Sequence, residues 1–141
     1  MLRYQLTHPT ILAALASAGH GSRILISDGH YPHTTGANPA AERVYLNLAP
    51  DRLLVTEVLA ALTDAVPIEA ATVMSPPPDQ PEPPVFTAFR AALPHLPALD
   101  TLDRFPFYDA ARAPDTALVI ATGDRRTYAN LLLTLGVRAD D

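Results

Sequence analysis

Three short aliphatic runs do most to restrict what this chain can become: Ile24-Leu25-Ile26, Ala117-Leu118-Val119-Ile120-Ala121 and Leu131-Leu132-Leu133. Each is continuous rather than alternating, which predicts strands covered on both faces, as in a sheet lying between layers of helix. The same reading places strands over 23–27, 44–48, 70–74, 99–102, 117–121 and 131–135. Helical stripes fall between them. Ile11, Leu12, Leu15 and Ala18 follow His8-Pro9 and stop at Gly19, with proline suited to the first helical position. Leu54, Val55, Val58, Leu59 and Leu62 follow Pro50-Asp51, with Asp51 the expected cap. Phe86, Phe89 and Leu93 form a third helix from Pro84, and residues 107–112 a short fourth. Strands alternating with helices predict an α/β fold with a largely parallel sheet. The length of 141 residues suits one domain over 1–141. Six prolines in the nine residues from Pro76 to Pro84 forbid helix or central strand there, and predict a stiff surface connector.

Composition excludes several classes. Cysteine is absent, which removes disulfides, thiolate chemistry and cysteine-bound zinc. The net charge is −5, and Arg125-Arg126 is the longest basic run, so neither a nucleic-acid groove nor a polybasic membrane patch is expected. No apolar run nears the roughly 20 residues of a membrane span, and the N-terminus lacks a signal-peptide core. A soluble cytoplasmic protein is the expectation.

The polar residues that carry chemistry fall in three clusters. Gly19-His20-Gly21 puts an imidazole, which exchanges protons near neutral pH, between a helix and a strand. Asp28 ends that strand, where ligands bind in open α/β sheets. Arg104-Phe105-Pro106-Phe107-Tyr108 and Tyr128-Ala129-Asn130 complete the set. Together they suit one small-sugar site, since arginine, asparagine and tyrosine offer hydrogen bonds to hydroxyls. Structural readings stand beside these. His20 serves equally as a helix cap, Asp28 as a cap of the long loop 28–43, and Phe105 and Phe107 as core residues of an amphipathic turn. Asp28, His30 and His33 also have a spacing that can ligate a divalent metal, but no fourth ligand is evident and no metal is expected. Thr122-Gly123-Asp124 is too short for a phosphate loop.

Taken in order, these segments resemble the L-fucose mutarotase / D-ribose pyranase family. The likeness runs colinearly through Gly19-His20-Gly21, Ile26 to His33, Arg104 to Tyr108, Ile120 to Asp124, Tyr128 to Leu133 and Gly136-Val137. The aromatic segment carrying Arg104 is similar to the fucose branch, whereas Tyr-Ala-Asn is similar to the ribose branch. The resemblance implies a three-layer α/β/α sandwich and interconversion of sugar anomers without any cofactor. It implies His20 as the proton donor, with Asp28, Arg104, Tyr128 and Asn130 binding the monosaccharide and Ala129 contributing backbone. It further implies a homo-oligomer, often a decamer, with sites completed near subunit boundaries. The alternatives are a non-catalytic sugar-binding or transport-accessory protein, and a metal-dependent enzyme using His30 and His33.

Overall fold

The computed structural model describes residues 1–140. Six strands, β1 (Arg23–Ser27), β2 (Glu42–Tyr45), β3 (Ile68–Met74), β4 (Asp100–Leu102), β5 (Thr116–Ala121) and β6 (Leu131–Leu135), form one sheet in the order β2-β5-β1-β6-β3-β4. Four helices accompany them: α1 (Pro9–Ser17), α2 (Val55–Ala65), α3 (Val85–Ala92) and α4 (Arg104–Arg112). β1, β2 and β5 run parallel to one another, as do β3 and β4, whereas β6 lies antiparallel between β1 and β3. The sheet is thus mostly parallel, with a single reversed strand near its middle.

Strand parity sorts the core into two layers. Ile24, Ile26, Leu118, Ile120, Leu131 and Leu133 face α1, α2 and α3. Leu25, Val119 and Leu132 point to the other side, against Phe107 and Ala111 of α4 and Tyr31 and Ala37 of the long loop. The sandwich is therefore lopsided, with three helices on one face and one helix plus a loop on the other. That loop is tied down. Arg43 donates to the carbonyl oxygens of His33 (3.0 Å), Asn38 (2.9 Å), Ala41 (3.1 Å) and Ala37 (3.3 Å). The Tyr31 hydroxyl donates to the Gly36 carbonyl at 2.6 Å.

Several element boundaries shift from the sequence reading, most by one or two residues, and three of the shifts have a clear local cause. β2 ends at Tyr45 rather than Leu48, because after Leu46 N–H bonds Ala121 O the chain curls and Leu48 N–H turns back to Leu46 O. α2 begins at Val55, and Asp51 does not cap it. Asp51 adopts φ +60° and its carboxylate accepts from Arg125 Nε at 2.8 Å. The helix start is met instead by Asp124, which accepts from Val55 N–H at 3.0 Å, and by Glu57, which accepts from Leu54 N–H at 2.7 Å. α4 begins at Arg104, so Pro106 falls in the first turn, where its missing N–H costs no helical bond. Consequently only Phe107 reaches the core, while Phe105 is 69% exposed. The proline segment is a surface connector whose end is braced by a Glu82–Arg90 ion pair. Among the described residues no helix is long and apolar enough to cross a membrane.

Candidate functional site

The reversed direction of β6 builds the site. Its first residues arrive at the edge where β1 and β3 end, so Tyr128 and Asn130 meet Asp28 and Met74. α4 begins just beyond the C-terminal end of β4 and brings Arg104 and Tyr108 to the same place. With His30, Tyr31 and Thr127 these residues line a cavity of about 300 Å³. That is the small end of the range for ligand pockets, which suits a ligand of one sugar ring.

Asp28 and Asn130 form its fixed floor, and both are buried. Asn130 Oδ1 accepts from the Asp28 N–H at 2.9 Å, and Asn130 Nδ2 donates to Asp28 Oδ2 at 2.9 Å. The backbone bond determines which end of the amide faces the carboxylate. Asp28 Oδ1 accepts from the N–H groups of His30 (2.9 Å) and Tyr31 (3.0 Å). Burial nevertheless dominates and pushes the Asp28 carboxyl above its usual 3.8, against the pull of these hydrogen bonds. The cavity therefore presents a buried carboxyl with capacity to accept from hydroxyl donors.

The walls differ in character. Tyr128 stands on a backbone with φ +62°, a left-handed value that costs a tyrosine about 1–2 kcal/mol and aims its ring at the cavity. Ala129 behind it is fully buried. On the opposite wall the Arg104 guanidinium lies 5.4 Å from the Phe105 ring centre and 5.8 Å from that of Tyr108. Its Nε donates to the Tyr108 hydroxyl at 3.4 Å, leaving the remaining donors of the fork for a ligand. Met74 supplies an apolar patch, and burial pushes the Tyr31 phenol up. Sequence reasoning did not single out Tyr31, Met74 or Thr127. Met74 had a usable signal, since it closes a strand at the same edge as Asp28.

The residues of the loop metal alternative part company. His33 turns its Nδ1 to the Ser27 hydroxyl at 2.9 Å, while His30 stays at the cavity rim. Among the described residues no group of three or more His, Asp or Glu side chains is placed to hold a metal ion.

His20 stands elsewhere. It precedes β1 and Asp28 follows it, so the five-residue strand separates them by roughly 16 Å at about 3.3 Å per residue. At its own end of the sheet His20 occupies the second position of a turn closed by Ser22 N–H to Gly19 O at 3.1 Å. Gly21 at the third position has φ +82°, the value a type II turn demands and glycine supplies. The imidazole is 58% exposed and pairs with Glu69 at 2.9 Å. It lines a groove with Val66, Pro67, Leu96 and Val137 that shares no residue with the Asp28 cavity. One chain thus brings together Asp28, Arg104, Tyr128 and Asn130, and leaves His20 facing outward.

Residues 1–138 match the model of the RbsD / FucU transport protein family. Solved structures with the same fold include FucU from Bifidobacterium longum, 27% identical over 94% of this chain and 95% of that one, with a TM-score of 0.81. The fucose mutarotase of Streptococcus pneumoniae, solved in complex with L-fucose, is 22% identical over 94% of each chain, with a TM-score of 0.79. RbsD of Bacillus subtilis, solved with D-ribose, is 19% identical over 99% of this chain and all of that one, with a TM-score of 0.80.

Proposed function

Since the chain belongs to the RbsD/FucU family, we propose that it is an isomerase interconverting the anomers of L-fucose or a closely related monosaccharide. The observation that carries this reading is the convergence of Asp28, Arg104, Tyr128 and Asn130, drawn from three distant parts of the chain, on one small polar cavity. The kinship with a fucose mutarotase and a ribose-bound RbsD supports it.

Anomer exchange requires the ring oxygen to gain a proton while the C1 hydroxyl loses one. The C1–O5 bond then breaks to give the open aldehyde, which rotates about C1–C2 and closes on its other face. No electron pair or phosphoryl group leaves the sugar, so the residues need supply only proton transfer and grip. In this reading Asp28 and Arg104 hold hydroxyls, while Asn130 keeps Asp28 aimed. His20 protonates the ring oxygen, and the proton lost from C1 leaves through the Tyr128 hydroxyl or water. The reaction already proceeds in water, so the roughly 10²–10⁴-fold from one positioned general acid, about 3–5 kcal/mol, is sufficient.

Because His20 faces outward, its partner pocket in this reading belongs to a second copy of the chain in a homo-oligomer. The groove beside His20 and the exposed Phe105 beside the cavity are surfaces such a contact would cover. Saturation-transfer NMR of fucose, ribose, galactose and rhamnose tests catalysis and substrate together. Enhanced exchange for one sugar, lost in His20→Ala while the sugar still binds, is the expected result. Sugar binding with exchange left at the solution rate would instead make the protein a non-catalytic carrier.

A further inference from the structure

Glu69 stands in no sequence motif, yet it is the side chain that holds His20. The turn from Gly19 to Ser22 fixes the histidine backbone, with Gly21 N–H donating to Leu135 O at 2.9 Å, but leaves the ring itself in solvent. Glu69 reaches it from the second residue of β3, where the pairing register with β6 shifts between Ile68 and Ala70. Both carboxylate oxygens lie on the same ring nitrogen, Nε2, at 3.1 and 2.9 Å. An ionised carboxylate can only accept, so Nε2 carries the hydrogen and Nδ1 is left free. Gly136 packs against the stem of this side chain. A Cβ there would lie 3.2 Å from Glu69 Cβ and 3.6 Å from its Oε2.

We propose that Glu69 is the positioning residue for His20, holding the ring by Nε2 so that Nδ1 is the nitrogen that exchanges protons with the sugar. This rests on the reading of His20 as the general acid. The carboxylate does two things at once. It keeps a hydrogen on Nε2 in both protonation states, so the doubly protonated ring donates from Nδ1–H to the ring oxygen and the neutral ring takes a proton back at Nδ1, and it restricts a ring that solvent would otherwise let turn away from the substrate. A comparable carboxylate behind a functional histidine is worth about 10–100-fold in metal sites, and here the pair is half exposed, which favours the lower figure.

The test compares Glu69→Ala, Glu69→Gln and His20→Ala in the assembled protein, with the sugar that proves most active. Glu69→Ala is expected to lower kcat about tenfold with KM within twofold of wild type. Glu69→Gln, whose amide oxygen still accepts from Nε2–H, is expected to recover most of that loss. In ¹⁵N spectra recorded at a pH where the imidazoles are neutral, His20 should show the Nε2–H tautomer in the wild type and a mixture in Glu69→Ala. If His20→Ala abolishes exchange while Glu69→Ala keeps wild-type kcat or the single tautomer, the positioning role is overturned and the general acid stands. A Glu69→Ala loss that falls on KM also overturns it. If His20→Ala retains full exchange, both ideas fall.

Discussion

Two polar pairs at the edge of β1, one buried and one half-buried, make different demands on the folded chain. Asn130 satisfies Asp28 twice, once through the backbone and once through the carboxylate. Asn130→Ala strips a buried N–H and a buried carboxylate oxygen of their partners, so a loss of roughly 1–3 kcal/mol in urea unfolding is expected, with weakened sugar binding. Its neighbour Ser27 holds His33, whose Nε2 is buried with no hydrogen-bond partner among the described residues. Burial lowers the basicity of His33 below the usual 6.5. The unfolded ring therefore takes up protons before the folded one, and stability should fall as pH drops below about 6.5. Urea midpoints between pH 7.5 and roughly 5.5 would show this, and His33→Gln, which cannot titrate, should flatten the slope.

At the level of elements, the helix that the sequence placed well is held by a residue it did not suggest. Asp124 accepts from Val55 N–H and grips Arg126 through Nε and Nη2, the latter at 2.6 Å. Burial works against this carboxylate, but Arg126 and the backbone donors outweigh it and hold Asp124 below the usual 3.8. Its contribution is present above that value and disappears as pH falls through the lower folded one. Asp124→Ala should destabilise the chain by about 1–3 kcal/mol in denaturant titration, because it uncaps α2 and leaves Arg126 unpaired. The strands themselves were legible: β1, β5 and β6 each hold an unbroken run of at least three aliphatic residues, with Asp28 after β1, Asp115 before β5 and Asn130 before β6. The starts of α2 and α4 were not, since Asp51 and Phe105-Pro106 carry local signals that distant partners or first-turn geometry override. Of the candidate site, Asp28, Arg104, Tyr128 and Asn130 were named from three separate segments, and the structure gathers them. Glu69 gave no sign, because its meaning lies in a histidine 49 positions away.

For the whole molecule the decisive fact is that the outward imidazole and the cavity lie at opposite ends of one strand. Under the proposed function, His20→Ala and Arg104→Ala are each nearly inactive as pure proteins. Mixed, unfolded and refolded together, they should regain a substantial fraction of wild-type exchange, because some contacts then pair an intact histidine with an intact cavity. NMR exchange rates before and after mixing measure this, and no recovery would place both groups in one protomer's reaction. Sedimentation alongside a dilution series supplies a second check, since specific activity should decline as the assembly dissociates.

The polypeptide that β6 reverses through the sheet also carries a lesson about vulnerability. It starts among the residues that line the cavity and ends against the turn that carries the imidazole. Under the proposed function, a molecule arranged this way can be silenced without being unfolded: separating the copies would leave every hydrogen bond described above intact and every chain inert. On that reading, selection falls as heavily on the skin between neighbours as on the cavity, and an inhibitor need never resemble a sugar.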